Sequence, residues 1–256
     1  MKRVIKIGGR AQSSPHLAGW IGSAWKVAPG SFCVVHGGGD EITAMQRRMG
    51  SEPSFVNGRR FTTREDIDIV RMVLSGLVNK RLVSNLTAAG VPAVGISGED
   101  AGTISAAVID FEGLGYAGKP SAVNVKLIQA LLKSGYLPVI SPLASTDGGS
   151  ADEALNVNGD DAAAAIAVAL DVSELLLIVD VAGVLDAAGE AIAYLDQSEA
   201  SALVDRGVIN SGMRAKLEAG FSALAGGVKR VRISTIGGLM DSAAGTVLTS
   251  AESAII

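Results

Sequence analysis

Short apolar runs typical of β-strands alternate with helical patterns along most of the 256 residues. Val4–Ile7 is largely β-branched and stops at two glycines, whereas residues 66–89 repeat apolar side chains every three or four positions, as an amphipathic helix does. Chains that alternate in this way form a mainly parallel sheet with helices on both faces. The sequence therefore predicts an α/β fold: a three-layer αβα sandwich around an open central sheet.

The other predicted elements follow the same alternation. The predicted strands are Val4–Ile7, Phe32–His36, Ala93–Ile96, Leu137–Ser141, Leu175–Val179, a short stretch near Ile192–Tyr194, and Val231–Ser234. The predicted helices are Leu17–Val27, Glu41–Met49, Asp66–Ala89, Val123–Ser134, Asp161–Leu170, Ser198–Arg206 and Met213–Ala225. The polar stretch Ala144–Ala154 is predicted to be a boundary or a mobile loop.

Composition narrows the class of protein. Aromatic residues are only 4% of the chain, so the core must be built from Ala, Val, Leu and Ile. The single cysteine, Cys33, cannot form an internal disulfide, which fits a reducing cytoplasm. The net charge of −4 and the absence of a basic stripe argue against nucleic acid as a partner. No apolar run reaches the roughly 18 residues of a membrane span, so we expect a cytoplasmic protein without membrane partners.

Two glycine segments near the start of the chain could hold an anion. Lys6 lies inside the first strand, and Gly8 and Gly9 follow at once, which would fix an amine beside exposed backbone amides. The run 36–39, His-Gly-Gly-Gly, follows a strand and opens a helix, where the helix dipole favours negative charge. The alternatives without a ligand are an ordinary edge-strand lysine for the first segment and a flexible strand-to-helix connection for the second.

Three later segments also carry polar groups at element ends. Asp160 precedes an Ala-rich helix and could be a helix cap or a buried carboxylate between two cations. Residues 180–185 follow a strand at the sheet edge where α/β proteins bind ligands. Lys216 stands in the first turn of a predicted helix, where its charge opposes the dipole. It is therefore either a ligand contact or a solvated lysine.

Two other motifs are incomplete. Esterases use a similar His-Gly-Gly-Gly run, but they also need a Gly-x-Ser-x-Gly turn, and Gly95–Glu99 lacks the final glycine. Gly113–Lys119 has the spacing of a phosphate-binding loop, but Pro120 replaces the hydroxyl residue that would bind magnesium. We therefore predict that residues 113–120 form a surface loop.

Taken in order, the segments resemble acetylglutamate kinases of the amino-acid kinase family, from about residue 3 to residue 248. The matching segments are Lys6–Gly9, His36–Gly39, Asn57–Thr62, Gly76–Lys80, Val94–Gly98, Leu137–Ile140, Asn156–Asp160, Asp180–Leu185, Gly212–Lys216 and Thr246–Leu248. Each motif is short, but their ordered set is specific. The resemblance implies the carbamate kinase-like fold and ATP-dependent phosphorylation of the γ-carboxylate of an N-acylated glutamate, with Mg²⁺, on the route to arginine.

The resemblance also implies roles for individual residues. Lys6 and Lys216 would stabilise the transferring phosphoryl group, with Asp160 orienting both, and no protein ligand to a metal is expected. The substrate-binding residues would be Gly38, Gly39, Arg60 and Asn156. The nucleotide-binding residues would be Gly8, Gly9, Asp180, Val181, Ala182, Gly183, Val184, Leu185, Val208, Ile209 and Asn210.

Several expectations concern the whole protein. We expect a single domain over residues 1–256, with an N-terminal lobe to about residue 145 for the acyl amino acid and a C-terminal lobe for ATP. The chain starts just before its first strand and thus lacks the N-terminal helix of arginine-inhibited hexameric relatives, so a homodimer insensitive to arginine is expected. The alternatives are a kinase for N-succinylglutamate, aspartate or carrier-linked aminoadipate, and a non-catalytic amino-acid or nucleotide sensor.

Overall fold

The computed structural model describes residues 3–56, 58–148, 153–209 and 211–250. The strands are β1 (Arg3–Ile7), β2 (Phe32–His36), β3 (Ser54–Val56), β4 (Arg59–Phe61), β5 (Ala93–Ser97), β6 (Ile104–Val108), β7 (Ala117–Val123), β8 (Leu137–Ser141), β9 (Leu143–Thr146), β10 (Ala154–Val157), β11 (Glu174–Ile178), β12 (Tyr194–Asp196), β13 (Val231–Ser234) and β14 (Thr246–Thr249). The helices are α1 (Gly9–Gln12), α2 (Leu17–Val27), α3 (Gly39–Arg48), α4 (Arg64–Arg71), α5 (Asn79–Ala88), α6 (Phe111–Leu114), α7 (Lys126–Lys133), α8 (Gly159–Ala169), α9 (Gln197–Asp205) and α10 (Ser211–Ala225).

The large sheet has the order β12-β14-β13-β11-β1-β2-β8-β5. All its neighbouring strands run parallel except the antiparallel pair β13–β14. Every residue of β2, β8 and β11 is buried, as expected for strands covered by helices on both faces. The predicted αβα sandwich is confirmed.

The two faces of the large sheet pack into separate apolar clusters. Val4 packs in one cluster with Ala162 and Ala163 of α8, and Ile5 packs in the other with Ile21 of α2. Successive side chains of a strand point to opposite faces, so Lys6 shares the face of Val4 and points toward α8. The strand pattern alone therefore aims this lysine at the start of α8.

A small closed sheet of β6, β7, β9 and β10 was not predicted. The prediction that residues 113–120 form a surface loop is wrong, because Ala117 and Gly118 are buried in β7. A Cβ at Gly118 would lie 2.8 Å from Leu155 Cβ, so small residues are needed for this packing and hide the usual strand pattern. The predicted loop Ala144–Ala154 begins inside β9 and ends in β10, while residues 149–152 lie outside the described ranges.

The short elements β3, β4, β14, α1 and α6 were also not predicted, and some predicted boundaries differ. The helix predicted over 66–89 starts at Arg64, behind a capping box of Thr63 and Asp66, and passes through a π-helical stretch, Met72–Val78, before α5. The helix predicted from Val123 starts at Lys126, because Val123 ends β7. The described residues include no helix with the length and apolarity that a bilayer crossing requires.

Candidate active site

Two lysines from opposite ends of the chain share one buried carboxylate. Lys6 Nζ lies 2.8 Å from Asp160 Oδ1, and Lys216 Nζ lies 3.3 Å from Asp160 Oδ2. The exposed fraction of the side chain is 7% for Lys6, 5% for Asp160 and 17% for Lys216. The structure thus brings together the three residues for which a catalytic role was predicted.

Each of the three is fixed by a regular element. Lys6 extends from β1, and Asp160 lies in the first turn of α8, whose N-cap is Asn158. The Asn158 side chain accepts a hydrogen bond from the Asp160 amide at 2.7 Å, which leaves the Asp160 carboxylate free of a capping role. Lys216 stands in the second turn of α10, one turn later than predicted, because that helix begins at Ser211.

The electrostatics of the cluster depend on its burial. Burial alone would raise the pKa of Asp160, but the ammonium groups of Lys6 and Lys216 outweigh it and hold the pKa below its usual range. Burial lowers the pKa of Lys6, against the attraction of Asp160 and with the repulsion of Lys216. Two cations on one carboxylate leave a net positive charge, which an incoming anion would neutralise.

The glycine turn after β2 lies next to this cluster and is held by buried polar groups. His36 Nδ1 donates to Gly37 O at 2.8 Å, and His36 Nε2 accepts from Asn79 Nδ2 at 3.0 Å. Burial lowers the pKa of His36 to about 4, so the ring is neutral at pH 7. A Cβ at Gly38 would lie 2.7 Å from Leu74 Cδ2, whereas the space beside Gly39 is open.

Arg60 reaches the same turn from the β3–β4 hairpin. Its Nη2 donates to Gly39 O at 2.9 Å and to Thr43 Oγ1 at 2.8 Å, and its Nη1 donates to the Gln46 side chain. Burial lowers the pKa of Arg60, opposed by Asp66. These bonds fix the orientation of the guanidinium, which lines the cavity as a permanent cation that a carboxylate could approach.

One cavity of about 190 Å³ collects these groups. Its lining residues include all the predicted substrate-binding and two of the predicted catalytic residues, namely Lys6, Gly38, Gly39, Arg60, Asn156 and Asp160. Asn156 lies in β10 of the small sheet and donates to Thr62 Oγ1 at 3.0 Å. The small sheet that the sequence did not reveal therefore forms part of the cavity wall.

Two of the segments predicted to bind the nucleotide, Gly8–Gly9 and residues 180–185, lie beyond this cavity at the same sheet edge. Gly8 N donates to Ile178 O at 3.1 Å, which joins the first glycine turn to the end of β11, where the loop 180–185 begins. Within that loop, Asp180 forms an exposed ion pair with Arg10 at 3.4 Å, and Val184 N donates to Thr246 Oγ1 at 2.8 Å.

Several of the other residues predicted to bind the nucleotide pack in one apolar cluster. Val184 and Ile209 are buried in one apolar cluster, and Val181 and Val208 pack against it. A Cβ at Gly183 would lie 2.6 Å from Thr246 Oγ1, so the loop needs a glycine there. Gly9 belongs to the first glycine turn, and Ala182 and Leu185 belong to the loop 180–185. Asn210 lies outside the described residues.

Sequence reasoning missed several polar groups that support the site. Thr43 and Gln46 share one face of α3 with Gly39, at spacings of three and four residues that a helical reading could have revealed. Asn79 lies in the predicted long helix, but nothing in its local sequence indicates that it contacts His36. Asp161 pairs with Arg59, a partner 102 positions away in the sequence, and no spacing rule predicts such a pair.

The fold and the site together define the class of protein. The amino acid kinase family pattern matches residues 1–235, and the chain belongs to the amino acid kinase family. Among solved structures, the protein smu.665 from Streptococcus mutans UA159 is 30% identical and superposes with a TM-score of 0.85. That alignment covers 96% of this chain and 98% of the other.

Curated relatives narrow the likeness further. The chain is 42% identical to an acetylglutamate kinase of Cereibacter sphaeroides over 227 residues, which is 86% of this chain and 76% of the relative. It is 41% identical to an acetylglutamate kinase of Methanopyrus kandleri over 217 residues, which is 81% of this chain and 87% of the relative. The carbamate kinase of Giardia, at 15% identity and a TM-score of 0.68, shares the fold.

Proposed function

We propose that this protein transfers the terminal phosphoryl group of ATP to the γ-carboxylate of N-acetyl-L-glutamate and so makes an acyl phosphate for arginine biosynthesis. The observation that carries the proposal is the pair of ammonium groups on Asp160, beside a cavity that also contains the guanidinium of Arg60. The identity to acetylglutamate kinases over most of the chain supports the same activity.

The charge cluster suits phosphoryl transfer. In this reaction the protein does little covalent work; it aligns donor and acceptor and stabilises charge on the three equatorial oxygens of the moving group. Lys6 and Lys216 contact different oxygens of Asp160, so their ammonium groups approach from different directions. We propose that both ammonium groups contact the phosphoryl group while their ion pairs with Asp160 hold them in position.

The acceptor side needs an anion site but no base. A glutamate γ-carboxylate is already ionised at pH 7, so it can attack without losing a proton. His36 is neutral and committed to Gly37 and Asn79, which fits a role in holding the glycine turn. Arg60 would bind the substrate's α-carboxylate, and Asn156 with the amides of Gly38 and Gly39 would hold the rest of the molecule.

ATP would bind at the adjoining edge of the sheet. The amides of Gly8 and Gly9 would contact its phosphates, and the loop 180–185 with residues 208–210 would line the nucleotide site. Mg²⁺ enters this proposal as part of the substrate MgATP. The described residues contain no cluster of three or more His, Cys, Asp and Glu side chains suited to an ion.

We propose two lobes that close over the site. The boundary expected near residue 145 falls inside β9, which pairs with β10 and β6 on either side of it in sequence. We therefore propose that the acyl amino acid lobe extends to the end of β10 at Val157 and that the ATP lobe follows. Closure of the lobes would exclude water and align donor and acceptor.

The oligomeric state and cellular location are also proposals. We propose that the protein is cytoplasmic and forms a homodimer. The dimer is supported by the large apolar side chains of Met72 and Leu77, which are about half exposed beside the edge strand β5. Light scattering would then give about twice the monomer mass. A monomer or a hexamer would contradict the proposal.

The direct test is ADP release measured with N-acetylglutamate, N-succinylglutamate, glutamate and aspartate as acceptors, with hydroxylamine added to trap an acyl phosphate. We expect the highest kcat/KM with N-acetylglutamate, together with a hydroxamate product. A preference for another acceptor would indicate a kinase for a different acidic amino acid. ATP binding without ADP release from any acceptor would favour the sensor alternative.

A further inference from the structure

The β3–β4 hairpin covers one side of the cavity and is unequally anchored. Gly58, with φ +77°, turns the chain between the two strands, and Phe55, Gly58, Arg59 and Arg60 all line the cavity. The residues of β3 are exposed, so the hairpin has little core of its own. Isolated two-stranded hairpins are marginally stable in water, so its position must come from contacts with neighbouring elements.

The base of the hairpin is tied to the small sheet. Thr62 N donates to Leu114 O at 3.1 Å, and Tyr116 N donates to Thr62 O at 2.8 Å. These backbone bonds join the end of β4 to residues 114–116, just before β7, and anchor this end of the hairpin to the fold.

The tip is held by two adjacent arginines that reach different helices. Arg60 bonds to Gly39 and Thr43 of α3, as described above. Arg59 Nη1 lies 2.8 Å from Asp161 Oδ2, in the first turn of α8. Neighbouring residues of a strand point to opposite sides, so the hairpin bridges the N-termini of the two helices that flank the cavity.

The Arg59–Asp161 pair is well placed to couple the two halves of the site. Arg59 adjoins the proposed substrate-binding Arg60, and Asp161 adjoins Asp160, which holds both lysines. The side chains are 27% and 15% exposed, so solvent weakens the pair less than it weakens a surface ion pair. Burial raises the pKa of Asp161 and Asp160 adds to this rise, whereas Arg59 and Lys119 oppose it.

We propose that Arg59 and Asp161 are positioning residues: their ion pair latches the hairpin over the cavity and fixes Arg60 relative to the Lys6–Asp160–Lys216 cluster. This inference rests on the proposed function for its substrate. Opening the latch would lower the fraction of molecules in the closed state and would weaken substrate binding in proportion. The phosphoryl-transfer groups themselves would stay in place, so the effect should fall on KM.

The test compares Arg59→Ala, Asp161→Asn and the double variant in the ADP-release assay. If the closed fraction falls to about one tenth, KM for N-acetylglutamate rises about ten-fold in each variant, with kcat lowered less than about three-fold. The double variant should resemble the single ones, because all three lose the same contact. Arg59→Lys keeps the positive charge, so its KM for N-acetylglutamate should stay close to that of the unmodified protein.

Arg214→Ala is the matched control, because it removes an exposed ion pair of the same 2.8 Å length, with Glu218, from α10. We expect its KM to equal that of the unmodified protein. Additive effects of the two single changes, or a lowered melting temperature with unchanged KM, would overturn the latch.

Hydrogen exchange provides a readout independent of catalysis. Amides of residues 54–56 and 58–61 should exchange faster in Arg59→Ala than in the unmodified protein, while those of β1 and β2 should not change. If the unmodified protein releases no ADP with N-acetylglutamate, the proposed function fails, and hydrogen exchange still tests the latch. Unchanged exchange in the hairpin would reject it.

Discussion

The two sides of the candidate active site are built on different supports. Lys6 and Asp160 extend from β1 and α8, whose apolar side chains pack together in one buried cluster. Arg60 extends from a hairpin whose first strand is exposed and whose tip is held by side chains. In the proposed mechanism, the groups that would stabilise the transition state lie on rigid elements, whereas those that would admit the substrate lie where movement costs little.

The largest effect should come from the rigid side. Lys6→Ala or Lys216→Ala should each lower kcat by about 10²–10³, since each removes one charge-stabilising donor, and KM should change much less. Steady-state ADP release measures both constants. Lys26→Ala, at an exposed position on α2, is the control and should behave as the unmodified protein.

Circular dichroism should show that both active-site variants still fold. If either retains normal turnover, the two-lysine assignment fails and the contrast between the two sides of the site fails with it.

The next largest effect should come from the hairpin side. Arg60→Ala should raise KM for N-acetylglutamate by about 10–100-fold, because a charged hydrogen-bonded pair contributes roughly 1.5–3 kcal/mol. The expected change in kcat is smaller, since the α-carboxylate is remote from the reacting atoms. Arg47→Ala, on the exposed face of α3, is the matched control. A fall in kcat at constant KM would contradict this role and would indicate that Arg60 acts in the chemical step.

A smaller effect, on stability, should distinguish His36 from an acid–base residue. Its pKa of about 4 in the folded protein is below the ordinary value of 6.5. Below pH 6.5 the unfolded chain therefore binds a proton that the folded one does not, and stability falls as the pH falls toward 4. Between pH 7 and 5 this contributes a loss of about 2 kcal/mol.

Urea unfolding of the unmodified protein and of His36→Gln measures that contribution. The variant should lose about 2 kcal/mol less over this pH range, while His16→Gln, at an exposed position, should follow the unmodified protein. Equal pH dependence in all three proteins would contradict a neutral, buried His36.

The same contrast explains how far the sequence predicts the structure. Strands β2 and β8 were predicted with their observed boundaries, because strands buried on both faces read as continuous apolar runs. Strands β6, β7, β9 and β10 were missed, because Ala, Gly, Ser and Pro replace large alternating residues where the small sheet packs tightly.

For the site, spacing alone did not distinguish a functional role of Lys6, Asp160 and Lys216 from a structural one: an edge-strand lysine, a helix cap and a solvated lysine. The family resemblance supplied their roles. Their convergence on one carboxylate depends on the register of β1 and on how α8 packs against α10. Local sequence contains neither. The Arg59–Asp161 pair depends in the same way on tertiary packing alone.

The two-lysine mechanism can be tested with a crystal structure that contains ADP, aluminium fluoride and N-acetylglutamate. We expect a planar fluoride group between ADP and the γ-carboxylate, with Lys6 Nζ and Lys216 Nζ each about 3 Å from different fluorides and Arg60 on the α-carboxylate. A fluoride group bound away from either lysine, with that lysine still directed only at Asp160, would contradict it.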